Sequence, residues 1–214
     1  MAMNKSRTSM PMKILIIVLA VAMASSILLG TLFSSLSSQP RVSDTQTGTT
    51  TGSSDQIAQQ YAATIKANDA ALAKSPKEYS ILVSQGNTYF DWAQQVQQAP
   101  ALAAQQQQLP LWTKAAGYYG RAIAATKTFD PQVGTDLSVS YYYGGQADKA
   151  ITMIERVLKV APTLTPALLN AGIFYESTNQ TATAVAMYTK LIGVKGASAD
   201  QVKFVEGRLA GLKK

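Results

Sequence analysis

Apolar residues follow two different rules along this chain: one unbroken run near the start, and a helical period after Ser54. From Ile14 to Phe33 the sequence reads ILIIVLAVAMASSILLGTLF and carries no charge. A run of ~20 apolar residues rising ~1.5 Å each spans ~30 Å, the thickness of a bilayer's hydrocarbon core. The run therefore predicts a transmembrane helix over 14–33. Ser25, Ser26 and Thr31 fit, since their hydroxyls can bond back to helix carbonyls. The next segment, SSLSSQPRVSDTQTGTTTGSS, is almost wholly Ser, Thr, Gly, Gln and Pro. It cannot bury enough apolar area to offset its ordering entropy, which predicts a flexible linker over 34–54.

Beyond the linker the period turns helical, and no alternation of strand type persists. Ile57, Tyr61 and Ile65 recur at i, i+4 and i+8 after a cap at Ser54 or Asp55, predicting a helix that ends near Ala73. Pro76 is expected at the start of the next helix, which carries Tyr79, Leu82, Val83, Gly86, Tyr89, Phe90 and Trp92. Ala99-Pro100 and Leu109-Pro110 bracket a Gln/Ala-rich insert. A helix with Leu111, Trp112, Ala115, Tyr119, Ala122 and Ile123 follows it.

Charge orients the apolar run. Lys5, Arg7 and Lys13 precede it with no acidic residue among them, whereas beyond it Arg41 is followed by Asp44. The positive-inside rule places residues 1–13 in the cytoplasm and everything after Phe33 outside, making a single-pass protein of the cytoplasmic membrane. A cleavable signal peptide competes with this reading, with Ala22-Met23-Ala24 as its small-residue site. Cleavage there would leave Ile27, Leu28, Leu29, Leu32 and Phe33 on the mature end, whereas an uncleaved signal anchor accounts for them. The net charge of +7 is spread along the chain, without the clustered Lys/Arg and interleaved aromatics of a nucleic-acid binder.

The later helices repeat. Pro131–Leu164 aligns with Thr165–Ser198, each 34 residues long. Leu137 falls on Ala171, Ser138 on Gly172, Tyr141 on Tyr175, Ala150 on Ala184, Ile154 on Tyr188, and Val157 on Leu191. Small residues suit close helix crossings, and the aromatics fill the wedge between helix pairs. The stretch SYYYGGQADKAITMIERVLKVAP, with its turn at Gly144-Gly145, Ala150 and closing Pro162, resembles the tetratricopeptide repeat. An irregular copy is expected over about 79–130, where Gly86, Tyr89, Ala115, Tyr119 and Ala122 match and the insert lengthens the turn. The run from Ala199 to Lys214 has Val202, Val205, Leu209 and Leu212 on one side and suits a capping helix over 199–214. The apolar run and the resemblance together predict an all-α chain: the run gives an N-terminal transmembrane helix, and the resemblance implies over 55–214 an α-solenoid of about three such helix pairs with a C-terminal cap.

The resemblance also implies a use. In this family the first helix of each pair lines a concave groove for an extended peptide or partner helix. The matching positions here are Asn87, Phe90 and Asp91; then Asp136, Val139, Tyr142 and Tyr143; then Leu169, Asn170, Ile173 and Glu176. Tyr142 and Tyr143 are expected to offer rigid contact area, since Tyr141 already fills the packing slot. Some members clamp a C-terminal carboxylate with Lys, Arg and Asn, but Val83 stands where the lysine belongs. What remains suits an apolar or basic segment.

Catalysis finds little to work with. With neither Cys nor His the chain has no disulfide, no lipidated cysteine, none of the commonest zinc ligands and not the usual general base. No phosphate-binding glycine loop, metal constellation or nucleophile elbow occurs, and Asp148 and Glu155 read as surface charges. The expectation is a non-enzymatic protein with no catalytic, cofactor or metal site. It would be a membrane-anchored adaptor for a protein partner, similar to accessory proteins of bacterial cytochrome maturation, secretion and envelope biogenesis. A holdase-like chaperone near the translocon, or a secreted binding module after signal cleavage, are the alternatives.

Overall fold

The computed structural model describes residues 54–98 and 108–212. The segments read as cytoplasmic N-terminus, transmembrane helix and all but the end of the linker lie outside the described residues, as does most of the insert. No helix among the described residues is long and apolar enough to cross a membrane. Eight helices follow one another there, without a strand: α1 (Ser54–Lys74), α2 (Tyr79–Gln98), α3 (Gln108–Ala125), α4 (Pro131–Tyr143), α5 (Ala147–Val160), α6 (Thr165–Ser177), α7 (Thr181–Ile192) and α8 (Ala199–Leu212).

Local chemistry sets where these helices start. Asp130 caps α4: its carboxylate accepts from the N–H groups of Gln132 (2.8 Å) and Val133 (3.4 Å), with Pro131 in the first turn. Ser198 and Gln201 form a reciprocal capping box ahead of α8, both bonds at 3.2 Å. The first-turn backbone bonds Gly134→Asp130, Leu168→Leu164 and Val202→Ser198 recur every 34 residues. So α8 begins as the first helix of a pair does, and α4, α6 and α8 share one role.

Pro76 departs from expectation. It lies in a turn, and α2 starts three residues later at Tyr79, because the N–H of Glu78 bonds back to the Ser75 carbonyl at 3.1 Å and Glu78 accepts from Leu82. Pro110, by contrast, stands inside the first turn of α3, so the insert is shorter than the two prolines suggest. A proline there loses no helical bond, because that N–H has no intrahelical partner anyway.

The turn within a pair is the same structure twice. Gly145 has φ +75° and Asn179, 34 residues on, has φ 61°. The N–H of Gln146 bonds to Tyr141 and that of Gln180 to Tyr175, each at 2.8 Å. Asparagine is among the few side chains that enter this left-handed region readily.

Packing follows the same register. Ala115, Ala150 and Ala184 are fully buried on α3, α5 and α7, as are Tyr119, Ile154 and Tyr188 one turn later. The large rings lie on glycines: a Cβ on Gly86 would stand 2.6 Å from the Tyr119 ring, and one on Gly172 would overlap the Tyr188 ring. Each second helix packs on its own first helix and on the next one along. The first helices α2, α4 and α6 also touch one another in series, which places them on the inner side of the curve.

The α2–α3 pair is longer than the other two, 20 and 18 residues against 12 to 14. Its extension builds a further layer of core in which Ala93, Val96 and Trp112 are buried and Phe90 meets Trp112 edge to face at 5.0 Å. α1 joins α2 through a more polar seam. Tyr61 donates to Gln95 (2.9 Å), Asn68 to Ser84 (3.1 Å) and Gln85 to Asp69 (3.0 Å).

Two glycine substitutions separate packing from helix propensity. Gly172→Leu forces a side chain into the Tyr188 ring and costs about 3 kcal/mol or more, lowering the melting temperature by several degrees. A Cβ on Gly117 of α3 meets nothing within 4 Å, so Gly117→Ala gains up to about 1 kcal/mol. Calorimetry of both variants checks the pair, and equal melts would remove the basis of the close crossing.

Candidate partner-binding face

The inner side carries two kinds of residue: those that complete the core, and those whose polar atoms remain free. Phe90 and Val139 are each only 9% exposed and Leu169 4%, so all three serve the packing beneath the face. Tyr142 and Tyr143 are half-buried. The Tyr142 ring stacks on Phe174 of α6 at 4.5 Å and the Tyr143 ring on Trp112 of α3 at 5.1 Å, the two meeting edge to face. These tyrosines seal helix interfaces, and one side of each remains at the surface. Tyr143 is covered by the extended α2–α3 pair, whose extra length has no counterpart in the regular repeats.

Two of the polar positions are already engaged. Asn87 is exposed, and its side-chain oxygen accepts the Tyr119 hydroxyl at 2.8 Å. Glu176 pairs with Arg208 of α8, accepting from its Nε and Nη2, and also accepts the Tyr188 hydroxyl at 3.0 Å. Arg208 was absent from the sequence-based site. Its place on the face follows from α8 standing where the first helix of another pair would stand.

Asp91, Asp136, Asn170 and Ile173 remain. None of the three polar side chains makes a hydrogen bond or ion pair among the described residues, and Ile173 is half-buried between them and the core. Asp91 and Asn87 lie one turn apart on α2, Asp136 lies on α4, and Asn170 and Ile173 lie on α6.

The charge of Asp91 acts on Asp136. Burial, and then the charges of Asp91 and Asp130, push Asp136 from the usual 3.8 up to about 7. Asp91 reaches water but sits against the concave wall, and that partial burial raises it to about 6. The other ionisable groups coupled to them are Tyr61 on α1 and Tyr119 on α3, both raised by burial first and neutral at physiological pH. The face thus carries two carboxylates without a protein partner among the described residues, and amide side chains on α2 and α6.

No group of three or more metal-binding carboxylates occurs among the described residues. Glu155, expected as a surface charge, is exposed and accepts the Tyr175 hydroxyl at 2.6 Å.

Comparison with known proteins agrees with the helix geometry. Residues 136–163 and 166–193 each match the family model described as Tetratricopeptide repeat. Among solved structures, "Crystal structure of MamA" has a TM-score of 0.53 at 16% identity, covering 76% of this chain and 95% of that one. At this identity the likeness is one of fold. "Crystal structure of MamA protein" aligns at 20% identity over 65% of this chain and 86% of that one, with a TM-score of 0.36. No curated protein matches in sequence.

Asp136 makes stability depend on pH in a definite direction. The unfolded chain ionises it near 3.8 and the folded chain near 7, so folding takes up a proton between those values. Its contribution is complete below about pH 4 and is lost as pH rises through about 7. Asp136→Asn therefore raises the melting temperature at about pH 8, by ~2–4 °C per kcal/mol relieved, and leaves it nearly unchanged at about pH 4. Thermal melts of both chains across that range check this, and a lower melt for the variant at the higher pH would refute it.

Proposed function

We propose that this chain is a non-enzymatic scaffold that holds a protein partner on the concave face of α2, α4 and α6. In this reading a helix over 14–33 anchors it at the extracytoplasmic face of the cytoplasmic membrane. The observation that carries the binding reading is the row of solvent-reaching polar side chains without a protein partner among the described residues, Asp91, Asp136 and Asn170, on helices whose other sides are sealed into the core. A solenoid needs none of these residues to stack. Support for the anchor is the uncharged run from Ile14 to Phe33 with Lys5, Arg7 and Lys13 ahead of it.

The choice between a specific adaptor and a general chaperone turns on exposed apolar area. A holdase needs a surface that accepts many apolar sequences. Among the described residues the large exposed hydrophobics are Leu109, Val160 and Ile192. They lie on α3, α5 and α7, away from the concave face. This face is polar above a closed core, which favours one partner with matching chemistry.

Affinity purification of the tagged full chain from mild detergent tests the reading, with Asp91→Lys as the control because Asp91 is exposed and its replacement spares the core. One or two proteins in fixed proportion, lost from the control, are expected. A broad spread of unrelated exported proteins would favour the chaperone, and retention of the partner by the control would move the site off this face. For the anchor, the chain is expected to resist alkaline extraction and to keep its N-terminal residues in intact mass. Its helical domain should be open to protease in right-side-out membrane vesicles.

A further inference from the structure

The up-and-down course of the helices gathers charges that are spread out in the sequence. Neighbouring helices run antiparallel, as the contacts Tyr61–Gln95 with Asn68–Ser84 and Phe90–Trp112 with Asn87–Tyr119 require. The turns over 75–78, 126–130, 161–164 and 193–198 therefore share one edge of the stack, and those over 144–146 and 178–180 the other. Lys74, Lys77, Lys127, Lys159, Lys190 and Lys195 all stand on the first edge, in those turns or within three residues of them. Every one is exposed, and none makes a hydrogen bond, ion pair or ring contact among the described residues. Other cations are engaged: Lys114, Arg121, Lys149 and Arg156 lie over aromatic rings, and Arg208 pairs with Glu176. Glu78, Asp130 and Asp200 share the basic edge, but Asp130 caps α4 and accepts the Tyr79 hydroxyl at 2.9 Å, and Glu78 accepts the Ser80 hydroxyl at 3.1 Å.

A lysine in a last turn can serve only to complement the negative end of its helix. That accounts for Lys74, Lys159 and Lys190. It does not account for Lys77, Lys127 and Lys195, which lie outside any helix. Nor does it explain why α2, α4 and α6, which end on the other edge, have no basic residue in the last turn. Apolar tips accompany the lysines: Val160 and Ile192, the final residues of α5 and α7, are 57% and 37% exposed. Between the last two turns of this edge, Thr163, Lys190, Gly193, Val194 and Lys195 line an open depression of about 500 Å³.

We propose that this edge rests on an anionic bilayer surface. Lys190 and Lys195 take a phosphate-bearing head group in the depression, and Val160 and Ile192 enter the boundary below the head groups. Protein interfaces favour arginine and aromatic residues and are depleted in lysine, whereas lysines gain directly from the negative potential of anionic lipid. Exposed aliphatic tips among them add apolar burial to that attraction. The proposal rests on the anchor reading above for what brings the edge to a bilayer. Residues 34–53 reach up to ~70 Å when extended, and α1 is ~30 Å long, so an anchor over 14–33 permits this contact although α1 begins at the other edge.

The chain has no cysteine, so Val160→Cys takes a polarity-sensitive dye at one place only. Thr181→Cys, exposed at the opposite edge, is the control. The full chain is reconstituted into vesicles of phosphatidylcholine alone or mixed with phosphatidylglycerol. A blue shift at position 160, with quenching by spin-labelled lipid, is expected only in the mixed vesicles, and no change at position 181. Lys190→Gln/Lys195→Gln should weaken that response at least about fivefold without altering the melting temperature, and ~0.5 M salt should remove most of it. Equal signals in both vesicles, or at both edges, would overturn the proposal. Flotation separates it from the anchor. A chain that floats with neutral vesicles but is silent at position 160 keeps the anchor and loses the basic edge. One that floats only with mixed vesicles, and fails to after the lysine substitutions, keeps the edge and loses the anchor.

Discussion

Everything in this fold depends on how closely two helices of a pair can approach where a glycine lies under a tyrosine ring. Gly86 beneath Tyr119 and Gly172 beneath Tyr188 leave no room even for a methyl group. That contact sets the angle and spacing of the pair, and so decides which residues of the first helix look inward at its neighbours. In the middle pair Ser138 and Ile154 take the same places, both fully buried, so the contact keeps its position while its chemistry changes. The tyrosines extend past the glycines, and their hydroxyls end on Asn87 and Glu176 of the concave face. Core packing and face chemistry are therefore joined through single side chains.

The turns carry the register from one pair to the next. A left-handed residue is needed at the same point of both regular pairs, supplied by Gly145 in one and Asn179 in the other. Because the bonds around it repeat at the same spacing, each second helix returns in the same direction and each following first helix comes to lie beside the last. Repetition of one unstrained local solution builds the curve, in keeping with stacked repeats that contact mainly their neighbours. The longer α2–α3 pair departs from this economy and adds a core layer around Trp112, against which Tyr143 comes to rest.

On the inner side, charge is left over where packing is complete. At the α6 end Arg208 compensates Glu176, whereas at the α2–α4 end burial raises both Asp91 and Asp136, and the charge of Asp91 adds to the rise at Asp136. A chain selected only for stability would gain by replacing Asp136 with a neutral residue of similar shape.

Local pattern determined much of this protein. The 34-residue repeat, the turn at Gly145 and the small residues at the crossings were legible because each depends on neighbours within a few turns of helix. Tertiary structure alone decided what the face presents. Phe90 and Val139 occupy inward-looking positions by register, yet adjoining helices cover them. Tyr142 and Tyr143 read as a free pair until Phe174 and Trp112 were brought against them from elements far along the chain. Arg208 carried no signal, because its partner lies 32 residues away and only the placement of α8 brings them together. The coupling of Asp91 to Asp136 was hidden for the same reason: spacing along one helix reports which side a residue takes, whereas burial and charge at that side depend on what the neighbouring helices deliver to it.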